Sequence, residues 1–261
     1  MTDPQAALSA ILLDIAGVLY VDDDPVPGAV DALAQLREMG GVRLLTNTTS
    51  RSRDQVLANL QALGFDVARE ELLTPAALAV QHCRERGHRQ VAFLVAEALR
   101  EDLAELDEAD GDQPVDAIIL GDLGDGFTPE VLNRALGQIL GGAELIALQH
   151  NRVYERGGRL VLDAGAYAAA LEYATGRDST VIGKPDPAFF TAALADLGAE
   201  ARHAVMVGDD IEADVGGALG AGLRGVLVRT GKFRADLAER AGVQPTAVVD
   251  SIAEVPALLA G

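Results

Sequence analysis

The decapeptide Ile11 to Tyr20, ILLDIAGVLY, decides how the chain is read. Its first residues are a short apolar run, Asp14 closes that run, and Gly17 offers a tight turn three residues later. An apolar strand that ends on a carboxylate beside a turn is what a buried parallel sheet presents at its ligand-binding edge. If Asp14 is a nucleophile, a proton-transferring acid is expected two positions on. Ala16 stands there, and a methyl group moves no protons.

Outward from this stretch, short β-rich runs alternate with longer segments of helical period, the pattern of a parallel sheet covered by helices. Strands are expected at Ile11–Ile15, Val42–Thr46, Val91–Val95, Ala117–Leu120, Leu145–Leu148, Thr180–Ile182, Ala204–Val207, Gly225–Val228 and Ala247–Val249. Helices are expected at Gly28–Met39, Ser52–Leu63, Glu70–Arg86, Pro129–Leu140, Ala166–Ala174, Pro187–Asp196 and Ala213–Ala221. The polar residues with chemical character fall before about residue 50 and after about residue 183, with ordinary α/β sequence between. That spacing predicts an α/β fold: a doubly wound, Rossmann-like core from residues 1–73 and 176–261, with an α/β domain inserted at 74–175.

Composition narrows the function. The chain has 261 residues, 49% of them hydrophobic, enough for a sizeable core. Forty acidic against 21 basic residues give a formal charge of −19, which repels nucleic acid and anionic lipid. A small anionic substrate would need local cations or a metal to offset that field. Cys83 is the only cysteine, so an intrachain disulfide is excluded and a reducing, cytoplasmic setting is expected. The start, MTDPQAALSA, has no basic segment leading into an apolar one, and no apolar run has the length of a bilayer crossing. No nucleic-acid or membrane partner is expected.

Four expected strand ends finish in polar residues: Asp14 after ILL, Thr46 and Asn47 after VRLL, Lys184 after VIG, and Asp209, Asp210 and Asp214 after AVMVG. Each alone reads as turn chemistry, since Asp and Gly are common where strands end. A parallel sheet would bring all four to one edge. For a phosphoryl substrate, a hard cation such as Mg²⁺ between Asp14, Asp209 and the phosphate would offset their repulsion. Thr46 would offer its hydroxyl to phosphoryl oxygens, and Lys184 would stabilise the transferring group and keep Asp14 ionised. Asp210 and Asp214 would orient the metal and its ligands from behind or through water.

The ordered set LLDIAGVL, LLTNTT, VIGKP and VMVGDDIEADVGGA resembles the four motifs of the haloacid dehalogenase superfamily of phosphohydrolases. PGAVDALAQLR, ALEYATG, GKPDPAFF and GLRGVLVRTGKFR extend the resemblance to its subfamily IIA, from about Leu8 to about Arg234. The resemblance implies that Asp14 is an aspartyl nucleophile and metal ligand, and that the backbone carbonyl at Ala16 also binds Mg²⁺. Thr46 and Asn47 match the second motif, Lys184 the third, and Asp209 the acidic metal ligand of the fourth. The insert matches a large α/β cap of the C2 type, which implies closure over a small phosphorylated substrate or phosphoamino acid and a homodimer formed through the cap.

The departure is at position 16, where most phosphatases of the superfamily carry a second aspartate and the closer subgroup tends to carry a small residue. General acid–base help is worth about 10² to 10⁴-fold, about 2.7 to 5.4 kcal/mol. Its loss is severe for an alkyl phosphate, whose alkoxide leaves badly without a proton. It matters less for phosphoramidates, pyrophosphate, acyl phosphates or aryl phosphates. The expectation is therefore a Mg²⁺-dependent phosphatase selective for such leaving groups; the alternative is a regulatory protein that binds phosphate and Mg²⁺ with little or no turnover. Carbon–phosphorus cleavage through a cap lysine is disfavoured, because Lys184 and Lys232 are the only lysines and neither lies in the insert. Asp22 to Asp24 read as a solvated turn, and His150 to Tyr154 as a loop. His82, His88 and His203 read as surface or capping residues, and Cys83 as a small buried side chain.

Overall fold

The computed structural model of the protein describes residues 8–109, 111, 113–156 and 159–261. In chain order, β1 (Ala10–Asp14) leads into a small hairpin, β2 (Tyr20–Val21) and β3 (Asp24–Pro25), and then α1 (Ala29–Met39), β4 (Gly41–Leu45), α2 (Arg53–Ala62) and β5 (Leu72–Leu73). There follow α3 (Pro75–Arg86), β6 (Gln90–Leu94), β7 (Asp107–Glu108), β8 (Ala117–Leu120), α4 (Pro129–Gly141) and β9 (Glu144–Ala147). A second hairpin, β10 (Val153–Arg156) and β11 (Arg159–Leu162), precedes α5 (Ala164–Thr175), β12 (Thr180–Val181) and α6 (Pro187–Leu197). The chain ends through β13 (Ala204–Gly208), α7 (Gly217–Gly220), β14 (Arg224–Val228), α8 (Ala235–Arg240), β15 (Ala247–Val249) and α9 (Val255–Ala260).

Two compact units result. The first takes the described residues through Thr46, Leu57–Leu73 and Lys184–Gly261; the second takes Asn47–Val56 and Thr74–Gly183. Among the described residues of the first unit, six parallel strands run in the order β15-β14-β13-β1-β4-β5. This is the doubly wound order, with β1 central and the connectivity reversing between β1 and β13. Both of those strands are buried at every residue, which is why ILLD and AVMVG read as continuous apolar runs without alternation.

The second unit carries its own parallel sheet, ordered β12-β9-β8-β6-β7, again doubly wound, with the reversal between β6 and β8. One face buries Val91, Phe93, Ala117 and Ile119 under α3 residues Ala79, Val80 and Cys83. The other buries Leu94, Ile118 and Leu120 under Ala135 and Ile139 of α4 and Ala168 and Leu171 of α5. Helix starts follow sequence signals: Thr74, Thr128 and Asp186 each stand before a proline and accept a backbone amide of the first turn. Burial, reinforced by the nearby Glu144 carboxylate, pushes the Cys83 thiol up to about 11, so it packs as an inert apolar group.

Four expectations change. Glu70–Arg86 is not one helix: Leu72 and Leu73 pair with Leu44 and Leu45 as an edge strand, and α3 begins only at Pro75. Thr180–Val181 joins the second sheet, pairing with Ile146 and Ala147, instead of the core sheet. The unit boundary therefore falls at Gly183/Lys184 and not at 175/176, and 47–56 goes with the second unit. That segment is fastened within the unit by the Arg53 amide donating to Asp102 and the Asp122 amide donating to Thr49. Val153–Arg156 pairs antiparallel with Arg159–Leu162, so Val153 and Tyr154 lie in a strand and not in the expected loop His150 to Tyr154. Asp22 to Asp24 occupy the exposed β2–β3 turn, with Asp22 at φ 53°.

Candidate active site

Parallel register brings the acidic residues together. Leu13 of β1 is level with Val207 of β13, and Asp14 is level with Leu45 of β4. Two residues past Val207 the chain reaches Asp209 on one side of Asp14, and one residue past Leu45 it reaches Thr46 on the other. All three lie at the carboxyl edge of the sheet beside the reversal in strand order, where open α/β sheets hold ligands. Asp14, Thr46, Lys184, Asp209 and Asp214 are all buried, although ionised side chains are seldom fully buried unless paired.

Lys184 is the counter-ion. Its Nζ donates to Asp14 Oδ1 at 2.5 Å and lies 2.7 Å from Asp214 Oδ1. Burial works against the lysine's charge, but the Asp14 and Asp214 carboxylates together hold its ammonium above the ordinary lysine range. Asp214 Oδ2 accepts the Asp210 amide at 3.1 Å. The carboxyl of Asp209 is pushed well above its ordinary range, first by burial and then by Asp14 and Asp214. Burial raises Asp214 likewise, against the opposing pull of Lys184. The Lys184 ammonium thus pairs with two of three carboxylates, each of which places one oxygen within 4.8 Å of the others.

A hard divalent cation fits this arrangement. Asp209 Oδ1 is buried and has no hydrogen-bond partner among the described residues, whereas buried polar atoms are normally satisfied. The donors are carboxylate oxygens, the ligand type Mg²⁺ prefers. The other oxygen, Oδ2, accepts the Lys232 amide at 2.7 Å. Two glycines make room for the carboxylate: a Cβ on Gly17 (φ +90°) would sit 1.9 Å from Asp209 Oδ2, and one on Gly231 (φ +63°) 2.1 Å from it. Thr230 Oγ1 donates to the Gly17 carbonyl, tying the two loops together.

The other expected site residues take distinct places. Ala16 lies in the exposed part of the loop after β1 and bridges to Tyr20. Asp210 is a helix cap: its Oδ1 accepts the amides of Glu212 and Ala213 and starts the turn Ile211–Gly216. Asp214, expected to orient the metal and its ligands from behind or through water, shares Lys184 with Asp14. Asn47 belongs to the second unit, where its Oδ1 lies beside Gly183. Thr230 to Lys232 fall in the GLRGVLVRTGKFR stretch of the resemblance, which gives them no site role; the local signal for one is the apolar strand β14 followed by Thr-Gly-Lys.

A doubly wound α/β sheet with an acidic cluster and one buried lysine at its reversal point is the core that carries the candidate site. The chain belongs to the haloacid dehalogenase-like hydrolases: that family's model matches residues 11–108, and a model of HAD-hydrolase-like proteins matches 181–255. The phospholysine phosphohistidine inorganic pyrophosphate phosphatase of Rattus norvegicus is 40% identical over 97% of this chain and 95% of its own. The p-nitrophenyl phosphatase of Archaeoglobus fulgidus superposes with a TM-score of 0.89 at 27% identity, covering 97% of this chain and all of that one. A glycerol phosphate phosphatase of Mycobacterium tuberculosis, solved in complex with magnesium, has a TM-score of 0.83 at 31% identity, over 94% of this chain and 75% of that one.

Proposed function

We propose that the chain is a Mg²⁺-dependent phosphatase that works through an aspartyl-phosphate on Asp14 and favours substrates with good leaving groups. The observation that carries the reading is the pairing of Asp14 with Lys184 beside an unpartnered Asp209 oxygen, while position 16 offers only a methyl group. Phosphatase activity accords with the family and with relatives named as phosphatases. Asp14, Asp209 and the Ala16 carbonyl would hold the ion, as in the family whose motifs the chain shares. When bound, Mg²⁺ supplies positive charge between two groups, carboxylate and phosphoryl, that otherwise repel.

Lys184 fixes one oxygen of Asp14, leaving the other oxygen to attack phosphorus. The bond from phosphorus to the leaving group breaks as the acyl-phosphate bond forms, and the leaving group departs with the bonding electron pair. Water then attacks the phosphorus of the acyl-phosphate, releasing inorganic phosphate and regenerating Asp14. Thr46 and Asn47 would donate to phosphoryl oxygens during both steps. Ala16 supplies no proton to the leaving group, so a phosphoramidate, anhydride, acyl or aryl phosphate, a phosphoamino acid among them, is favoured over an alkyl ester. The second unit would act as the cap that excludes water and as the surface of a homodimer.

The test is a Mg²⁺-containing panel of pyrophosphate, a phosphoramidate, an aryl phosphate and a hexose phosphate, run beside Asp14→Asn. Turnover should be lost in the variant, and the hexose phosphate should be the slowest substrate. A hexose phosphate turned over faster than the other three would sink the leaving-group reading. Activity that survives Asp14→Asn would remove Asp14 as nucleophile, and Mg²⁺-dependent phosphate binding without turnover would favour the regulatory alternative.

A further inference from the structure

Two histidines that the acidic site does not use meet a third metal-binding side chain within the second unit. His82 stands near the end of α3, His88 follows that helix, and Glu144 opens β9. His82 Nε2 lies 2.9 Å from Glu144 Oε1, and His88 Nε2 lies 2.7 Å from Oε2. The imidazole centroids are 6.4 Å apart at an interplanar angle of 54°, and one ligand atom from each of the three residues lies within 4.8 Å of the others. The side chains are 17 to 21% exposed, so an ion can reach them from solvent while most of their surface is held by the fold. The spacing of His82 and His88 in sequence gave no such signal, because the third group arrives from 62 and 56 residues away.

We infer that His82, His88 and Glu144 form a binding site for a divalent transition metal of the zinc type. Two imidazoles and a carboxylate suit Zn²⁺ better than Mg²⁺. Zinc–ligand bonds of about 2.0 to 2.2 Å place neighbouring ligand atoms about 3.3 Å apart in a tetrahedron, a separation inside the 4.8 Å that spans one ligand atom from each of the three residues. Thr180 Oγ1 donates to Glu144 Oε1 at 2.6 Å, the kind of outer hydrogen bond that orients a ligating carboxylate.

The surrounding charges are Arg86, whose Nε is 3.8 Å from Glu144 Oε2 on a mostly exposed side chain, and the Asp116 carboxylate, which lies within the field of His88. An arriving cation can push the first aside and is favoured by the second. With three protein ligands, the fourth position is left to water. The ion would fasten α3 to β9 and, through Thr180, to β12 at the edge of the sheet.

The test uses the full chain, stripped with a chelator and then saturated with Mg²⁺ so that the acidic cluster is filled. Titrated Co²⁺ should bind one equivalent with the visible absorption of a low-coordinate site, and Zn²⁺ should displace it. His82→Ala and His88→Ala should abolish the absorption while circular dichroism shows them folded. Thr180→Val should weaken cobalt binding roughly 10- to 100-fold, and Asp14→Asn should keep it. Zinc should raise the Tm of the parent and not that of His88→Ala. Absence of cobalt absorption in the parent, or an equal signal in the histidine variants, would overturn the inference.

Discussion

At residue scale, the proposed leaving-group preference turns on position 16. Asp14 and Lys184 are paired beside Asp209, while the residue two places past Asp14 is an exposed alanine with room for a longer side chain. Ala16→Asp should raise kcat/KM for a hexose phosphate by on the order of 10²-fold or more. Steady-state kinetics on the folded variant checks this, and no gain would mean that another group already supplies the proton. Lys184 has a structural role inseparable from its chemical one. Lys184→Met leaves Asp14 and Asp214 buried without their ammonium, and breaking such a pair costs about 3 to 5 kcal/mol. Urea denaturation of the variant should show a loss of that size together with loss of turnover. The identities of Asp14, Thr46, Lys184 and Asp209 were legible because each closes a strand-like run. The roles of Asp210 and Asp214 were not, because which aspartate caps a turn and which pairs with lysine depends on side-chain direction around Ile211–Gly216.

At the scale of elements, long buried strands and capped helices were readable, and short edge pieces were not. Leu72–Leu73 and Thr180–Val181 are two residues each, too short to carry a period, so only their partners decide which sheet they join. The junction between α5 and β12 shows how such a piece is held. Ser179 donates its amide at 3.1 Å and its hydroxyl at 2.5 Å to Glu172 Oε1, and His150 approaches Oε2 at 3.4 Å. Burial alone would raise the Glu172 carboxyl, but the Ser179 hydrogen bonds and His150 together hold it below its ordinary value. A carboxyl lowered by folding binds protons less readily in the native than in the unfolded chain. Its contribution is therefore full above the ordinary glutamate value, about 4.3, and is lost as pH falls through the lowered one. Stability measured by denaturant titration should fall over that acidic interval in the parent, with a shallower slope in Glu172→Gln.

At the scale of the whole molecule, a chain of formal charge −19 gathers three buried carboxylates, two of them paired with Lys184, and a bound cation would offset their mutual repulsion. Mg²⁺ should therefore raise the Tm of the parent in a concentration-dependent way. Asp209→Asn should start from a higher Tm without Mg²⁺, because one buried charge is gone, and should respond less to the ion. Differential scanning calorimetry with and without a chelator checks both signs. Among the described residues no helix is long and apolar enough to cross a membrane. What the sequence by itself determined is the doubly wound α/β class, the central strands and the residues that close them, since buried parallel strands and their polar ends leave a local imprint of apolar runs and turn residues. Only the tertiary structure decided that Lys184 joins Asp14 and Asp214, that Thr230 to Lys232 close over Asp209, that 47–56 and β12 go with the second unit, and that His82 and His88 share Glu144. Each of these is a contact between residues distant in the chain, set by strand order and packing geometry, and such contacts leave no local pattern in the sequence.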